Sequence, residues 1–183
     1  MPLDLDSREF RRILGHYPTG VCAITAMAEK GPVGMIVGSF TSVSLDPPLV
    51  AFLPDRMSES WPKIEATGHF CVNVLSARQQ HVCRALCSKA ENKFEALSYR
   101  LSCGGLPILH GTLAWIDCDL FAVHEAGDHY IAIGQVHALN VESRQAPLLF
   151  FQGGYGSFLA VPTEQSTPET CSMGLARCLS TER

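Results

Sequence analysis

The sequence predicts a mainly β domain, a barrel of short antiparallel strands with a few helices at its margin. Three observations carry this. Short apolar runs rich in β-branched residues alternate with Gly, Pro and Asp turn signals over most of the chain. Strict strand–helix alternation is missing, and with it any G-x-G-x-x-G or P-loop glycine pattern, which argues against a parallel, doubly wound sheet. Finally, 183 residues that are 46% hydrophobic and only 17% charged suffice for one core without disulfide help.

The elements follow in chain order. Asp6 opens a helix, with Glu9 three residues on in a capping-box arrangement. Phe10, Ile13 and Leu14 make its apolar stripe, Gly15 ends it, and His16 reads as a cap. Thr19–Ala26 reads as a strand, Glu29-Lys30-Gly31-Pro32 as a turn, and Val33–Phe40 as the returning strand of a hairpin. Gly34 and Gly38 keep that strand's backbone open. Asp46-Pro47-Pro48 forces an extended bend before a short buried strand, Leu49–Leu53. Ser58 to Pro62 is a helix start that Gly68 stops.

Phe70–Leu75 is the next strand. Ser76 with Gln79 forms a second capping box, and Val82, Cys83, Leu86 and Cys87 are the buried stripe of its helix. Ser88–Gly105 reads as loop with a helical turn near Phe94. Thr112–Glu125 and Asp128–Val141 are long strands joined at Ala126-Gly127, and Leu148–Gln152 is the last strand. The domain is expected over residues 1–160, followed by a polar tail over 161–183 that lies loose or over a partner subunit.

Several classes fall away. The net charge is −4 with no basic stripe, so no nucleic-acid partner is expected. No apolar run approaches the roughly 18 residues of a membrane span, and MPLDLDSREFRR does not resemble a signal peptide. Eight cysteines occur without a C-x-x-C pair. They read as small buried hydrophobes of a cytoplasmic protein rather than disulfide or zinc ligands. The seven histidines show no H-E-x-x-H and no i, i+4 pair, and a G-x-S-x-G elbow is absent. Asp117 and Asp119 share a strand face with Trp115 and Phe121, which reads as an outer face or an interface.

Three stretches could carry chemistry. From Gly34 to Phe52, small residues and hydroxyls alternate along a strand and meet a double proline. They suit either a flat, polar-edged ligand lying against backbone groups or a hairpin edge packed on a helix. Asp55 to Ser60 sets an arginine and two hydroxyls at a helix start, which suits an anion or plain capping, capping being the better reading of that stretch alone. Gly127-Asp128-His129 places a histidine at a tight turn, where solvated histidines are common.

Taken in order, these stretches resemble the flavin reductase family of the FMN-binding split-barrel fold, the reductase components of two-component flavin monooxygenases. The resemblance runs through PTGV (Pro18–Val21), GSFTSVSLDPPLVAF (Gly38–Phe52), SESWPKI (Ser58–Ile64), HFCVNVLSARQQ (His69–Gln80), Lys93-Phe94, GDHYIAIGQV (Gly127–Val136) and PLLFFQGGY (Pro147–Tyr155). It implies a six-stranded antiparallel split β-barrel with flanking α-helices, a homodimer with the flavin near the interface, and FAD or FMN with NADH, or alternatively NADPH, as cofactors. It implies that Met35, Val37, Gly38 and Ser39 lie along the isoalloxazine ring, largely through backbone groups. Ser42 and Ser44 would support the ribityl or phosphate end, and Pro48, Leu49, Val50 and Ala51 would contact the pyrimidine side. Ser58 and Ser60, with Arg56 and Trp61 beside them, would take the phosphate. Lys93 and Phe94 would meet the ribityl or adenine part, and His129 with Tyr155 the nicotinamide. At Val37-Gly38 many relatives carry Ala-Asn, so here only backbone and Ser39 can act.

The chemistry so implied is hydride transfer to flavin, with reduced flavin released to a partner monooxygenase. The rival readings are a split-barrel flavoprotein that keeps its flavin, as an oxidase does, and a non-catalytic flavin- or haem-binding module. A dimer would also use the surplus apolar surface of so uncharged a chain.

Overall fold

The structure, a computed structural model, describes residues 6–161. The described chain runs α1 (Ser7–Leu14), β1 (Thr19–Gly20), β2 (Cys22–Ala28), β3 (Gly31–Val37), β4 (Thr41–Leu45), β5 (Pro48–Phe52), α2 (Trp61–Glu65), β6 (His69–Val74), α3 (Gln80–Leu86), β7 (Tyr99–Leu101), β8 (Pro107–Leu109), β9 (Ala114–Ala126), β10 (His129–Val141), β11 (Leu148–Phe151) and β12 (Gly154–Ser157). The main sheet has seven strands in the order β3-β2-β6-β9-β10-β5-β4, all its pairs antiparallel. A smaller sheet, β1-β11-β12, and the β7–β8 hairpin lie beside it.

The two edge strands of the main sheet are consecutive in the chain. Only Gly38, Ser39 and Phe40 separate β3 from β4. Such a link spans at most about 14 Å, whereas a flat sheet of seven strands is about 29 Å across. The sheet is therefore rolled until its edges nearly meet, and the link crosses the split.

Strand alternation fills the barrel. Cys22, Ile24, Ala26, Val37, Val50, Phe52, Phe70, Val72, Cys118 and Ala132 form its core with Trp61 and Ile64 of α2. Phe52 meets Trp61 and Phe70 edge to face, at centroid distances of 5.6 and 5.2 Å. Gly134 is required here: a Cβ on it would lie 2.3 Å from the Phe70 ring. A second core sits outside the barrel, where α3, Phe94 and Leu97 pack on Val21, Ala23 and Leu75. The β7–β8 hairpin is tied to the barrel by two buried polar residues. Thr25 donates to Pro107 O at 2.6 Å, and Asn73 Oδ1 accepts from Leu109 N at 2.8 Å.

The mainly β, antiparallel barrel stands as expected, with seven strands in the main sheet rather than six. The difference is β4. The returning strand expected over Val33–Phe40 ends at Val37, and the chain pairs again from Thr41 as a separate edge strand. Asp46-Pro47-Pro48 is a tight reversal, with a cis Asp46–Pro47 peptide and Leu45 opposite Pro48, not an extended bend. The expected capping box on α1 does not form. Asp6 alone caps, accepting from Arg8 N at 2.9 Å, while Glu9 pairs with Arg12. The α1 stripe is exposed, with Phe10, Ile13 and Leu14 each about half accessible.

The second box is present, on a 3-10 turn at Ala77–Gln79: Gln79 Oε1 accepts from Ser76 N at 2.9 Å. Within the segment read as loop, Tyr99–Leu101 pairs with Pro107–Leu109; three-residue strands are too short to show a period of two. Gly154–Ser157 adds a strand that its glycines concealed. Asp117, read as outer-face, is on that face but buried beneath the β7–β8 side. The expected tail lies outside the described residues, apart from its first position, Val161.

Candidate active site

Gly38, Ser39 and Phe40 lie between the ladders of β3 and β4, so their backbone groups are not committed to strand pairing. Two open clefts meet at Gly38. One, of about 190 Å³, is lined by Val21, Ile36, Gly38, Phe150 and Tyr155. The other, of about 300 Å³, is lined by Tyr17 to Gly20 and Gly38 to Thr41. A Cβ on Gly38 would stand 2.8 Å from Thr19 Oγ1. The glycine thus holds open the point where the clefts join.

Ser39 continues the strip to the other side. Its Oγ accepts from Leu53 N at 2.9 Å, which docks the link on the end of β5 and leaves the hydroxyl hydrogen free to donate. From there the 53–60 loop is stitched to the tip of the β9–β10 hairpin. Tyr130 N donates to Pro54 O at 2.9 Å, Arg56 N to Asp128 O at 3.0 Å, and Asp55 pairs with His129. The tip turns at Gly127, whose φ of 64° suits a residue without Cβ.

This stitching gathers three predicted site residues. The Arg56 guanidinium lies 5.4 Å from the Tyr130 ring centroid and 3.5 Å from both Glu125 Oε2 and Gly127 O. Ser58 Oγ accepts from Trp61 N at 3.2 Å, so its hydrogen too is free to donate. His129 Nδ1 is 2.8 Å from Asp128 Oδ1, which orients the ring. The hydrogen bond from His129, with its charge, holds the Asp128 carboxyl below its ordinary range.

Tyr155 stands at the opposite end of the strip, in the apolar cleft, 5.4 Å edge-on from Phe150. Burial, with the Cys83 thiol beside it, pushes its hydroxyl up to about 12. It is a proton-holding donor at neutral pH. His129 and Tyr155, expected together at the nicotinamide, therefore flank the strip from different elements.

The other predicted residues divide by environment. Met35 packs half-buried on the barrel core, and Val37 and Phe94 are buried. Phe94 lies under Gly34, two positions before the cleft residue Ile36 on the same face of β3, with Lys93 half-buried beside it. Trp61 is 1% exposed and belongs to the core. Ser60 is buried at the start of α2 and makes no capping bond. Ser42 and Ser44 flank an irregularity in the exposed edge strand β4. Pro48 is exposed, Leu49 half-buried, and Val50 and Ala51 buried, and all but Pro48 pair with β10 as well as β4.

Sequence reasoning named none of Tyr17, Thr19, Val21, Phe150 and Glu125 as site residues. The PTGV stretch and the PLLFFQGGY stretch held three of the five, Thr19, Val21 and Phe150, and the β1–β11 pairing brings those two stretches together. It also read His69 and His137 as scattered. Both reach Asp119 across adjacent strands, His69 Nδ1 at 2.5 Å. The buried Cys22, Cys71 and Cys118 are pushed up by desolvation, Cys22 and Cys118 to about 12, and are inert core thiols.

The donor set suits a flat, polar-edged ring with a phosphate-bearing arm. Uncommitted backbone at Gly38–Phe40 lies along the strip, apolar walls at Val21, Ile36 and Phe150 face one cleft, and Arg56 with Ser58 waits at one end. Known proteins agree with that chemistry. The flavin reductase-like domain family matches residues 14–159. A flavin reductase of Pseudomonas putida is 63% identical over 158 residues, covering 86% of this chain and 93% of that protein. The FMN reductase (NADH) SmoA of Agrobacterium fabrum is 42% identical over 154 residues, covering 84% and 87%. The crystal structure of nitrilotriacetate monooxygenase component B from Mycobacterium thermoresistibile superposes with a TM-score of 0.82 at 42% identity, covering 92% of this chain and 97% of that one.

Proposed function

We propose, on the premise that this chain belongs to the flavin reductase-like family, that it uses NADH to reduce FMN or FAD as an exchanging substrate and works as a cytoplasmic homodimer. The chain is a flavin reductase of the kind that supplies reduced flavin to a separate monooxygenase. A relative named for NADH and FMN supports the choice of nicotinamide. The observation that carries the flavin assignment is the strip at Gly38–Phe40, where free backbone groups and two clefts meet.

When bound, the flavin supplies the hydride-accepting ring. The protein's contribution is positioning. Backbone N–H groups of Gly38 to Phe40 hold the polar ring edge, and Arg56 and Ser58 hold the phosphate. The Asp128-oriented His129 and the neutral Tyr155 hydroxyl orient the dinucleotide. Val21, Ile36 and Phe150 exclude water from one side. The exposed stripe of Phe10, Ile13 and Leu14, with Phe121, Leu139 and Val141 on the barrel's outer face, supplies apolar surface for a second copy.

The test is steady-state oxidation of NADH and NADPH with FMN, FAD and riboflavin. The reading expects NADH to outperform NADPH by kcat/KM, and FMN to bind more tightly than riboflavin. Equal affinity for FMN and riboflavin would remove the phosphate role of Arg56 and Ser58.

A further inference from the structure

The charge that the reading above assigns to phosphate is already partnered. Arg56 lies beside Glu125, its guanidinium 3.5 Å from Oε2, and over the ring of Tyr130. This placement follows from the fold. Glu125 and Tyr130 are opposite one another in the β9–β10 ladder, and the 53–60 loop is held against that hairpin tip by the bonds from Tyr130 N and Arg56 N. The pair is loose as well as close. At 3.5 Å it is longer than a tight charge-assisted hydrogen bond, and the two side chains are 43% and 72% accessible. The neighbouring carboxylate, Asp128, is turned to His129 Nδ1, and among the described residues the remaining hydrogen-bond partner of the guanidinium is Gly127 O at 3.5 Å. Glu125 is thus the acidic group placed to exchange with an incoming anion.

We propose that Glu125 is a positioning residue that competes with the flavin's phosphate for Arg56, and so keeps the affinity for phosphate-bearing flavins low enough for release after each turnover. The proposal rests on the reading of Arg56 as a phosphate ligand. Binding of phosphate then swaps one ion pair for another, and the net gain is the difference between them. When the flavin leaves, Glu125 takes the guanidinium back, which prevents the bare cation from holding the product.

The size is set by what an exposed ion pair is worth. Such pairs contribute a few tenths to about 1 kcal/mol, equivalent to about two- to five-fold in affinity. Glu125→Gln keeps the length of the side chain and removes its charge, at a position exposed enough not to affect folding. Dissociation constants for FMN and for riboflavin, measured by quenching of flavin fluorescence at low salt, give the test. In Glu125→Gln the affinity for FMN rises about two- to five-fold while that for riboflavin is unchanged. The gain shrinks at high salt, as expected for an exposed pair. In an Arg56→Ala background the same change has no effect on FMN, a result that a merely structural role for Glu125 would not produce.

Failure separates cleanly. If Arg56→Ala leaves the FMN-to-riboflavin ratio unchanged, the phosphate reading of Arg56 falls and the competition falls with it. If Arg56→Ala abolishes the preference for FMN but Glu125→Gln leaves it as in the parent, or shifts both flavins equally, the phosphate reading stands and the competition is wrong.

Discussion

Gly38→Ala is the sharpest single perturbation of the proposed site. The added Cβ would lie 2.8 Å from Thr19 Oγ1 and 3.6 Å from Thr19 Cβ, where ordinary contact begins at 3.4 Å. Relief needs a shift of about 0.6 Å, obtained by moving either the Gly38–Phe40 link or Thr19. Thr19 belongs to a two-residue strand, so the stability cost belongs at the low end of overpacking, about 1 kcal/mol. For a domain of this size that is roughly a 2–4 °C fall in Tm. The functional cost is larger, because the methyl stands where the two clefts join and moves backbone donors off a near-attack geometry. The expectation is a roughly ten-fold loss of flavin affinity, about 1.4 kcal/mol, measured by fluorescence quenching, with a matching fall in kcat/KM. Adding Thr19→Ala removes the Oγ1 clash and restores Tm, while the flavin affinity stays low. If Gly38→Ala binds flavin as tightly as the parent, the ring does not lie over this link.

Three further expectations follow from the same geometry. Gly134→Ala sets a Cβ 2.3 Å from the Phe70 ring and 2.9 Å from Cys118 Cβ. Among fully buried groups it should cost about 3 kcal/mol in urea unfolding, and a loss under about 1 kcal/mol would contradict the packing described. Tyr155→Phe should lower kcat/KM for NADH a few-fold without changing the pH profile between about pH 6 and 9, since a hydroxyl pushed to about 12 does not titrate there. A profile that changes in that window would show Tyr155 acting as a base. Asp119 is held below its ordinary 3.8 by hydrogen bonding, first to His69 and then to His137. A lowered carboxyl stabilises above its unfolded pKa, and that contribution is lost as pH falls through the folded value. Asp119→Asn should therefore flatten stability against pH below about pH 4, by well under 1 kcal/mol for so exposed a group; an unchanged acid limb would rule the pairing out.

The legible part of this molecule is what local chemistry decides. Long apolar strands such as β9 and β10, the Gly127 turn and the Ser76–Gln79 capping box could be read directly, because each depends on residues within a few positions of one another. Hydrogen bonding between distant segments could not. The break at Gly38 is invisible in a run of small and β-branched residues, since what stops β3 is the closure of the barrel. The three-residue strands of the β7–β8 hairpin are too short for periodicity and are held by Thr25 and Asn73 from the barrel. The α1 stripe has a clear helical period yet is exposed, because period reports a face and not what covers it.

The site divides along the same line. Gly38, Ser39, Arg56, Ser58 and His129 were tied to a flavin, its phosphate and a nicotinamide by the family resemblance rather than by residue type alone, and the contacts of Ser39 with Leu53, Pro54 with Tyr130 and Asp55 with His129 link their segments. Trp61 and Phe94 stood in the same stretches, but their large apolar side chains are drawn into the cores. Glu125 carried no local signal at all. It acquires its meaning from the register that sets it opposite Tyr130 and from the loop that lays Arg56 across both.

On the function proposed above, flavin visits the Gly38–Phe40 groove as a substrate and leaves it reduced. The most direct measurement is the rate of NADH oxidation by flavin-free protein as FMN is added from zero. A negligible rate without flavin and a saturable rise as FMN is added are expected, lost in parallel with FMN binding in Gly38→Ala. A protein that oxidises NADH at full rate on tightly held flavin, indifferent to added FMN, would contradict it.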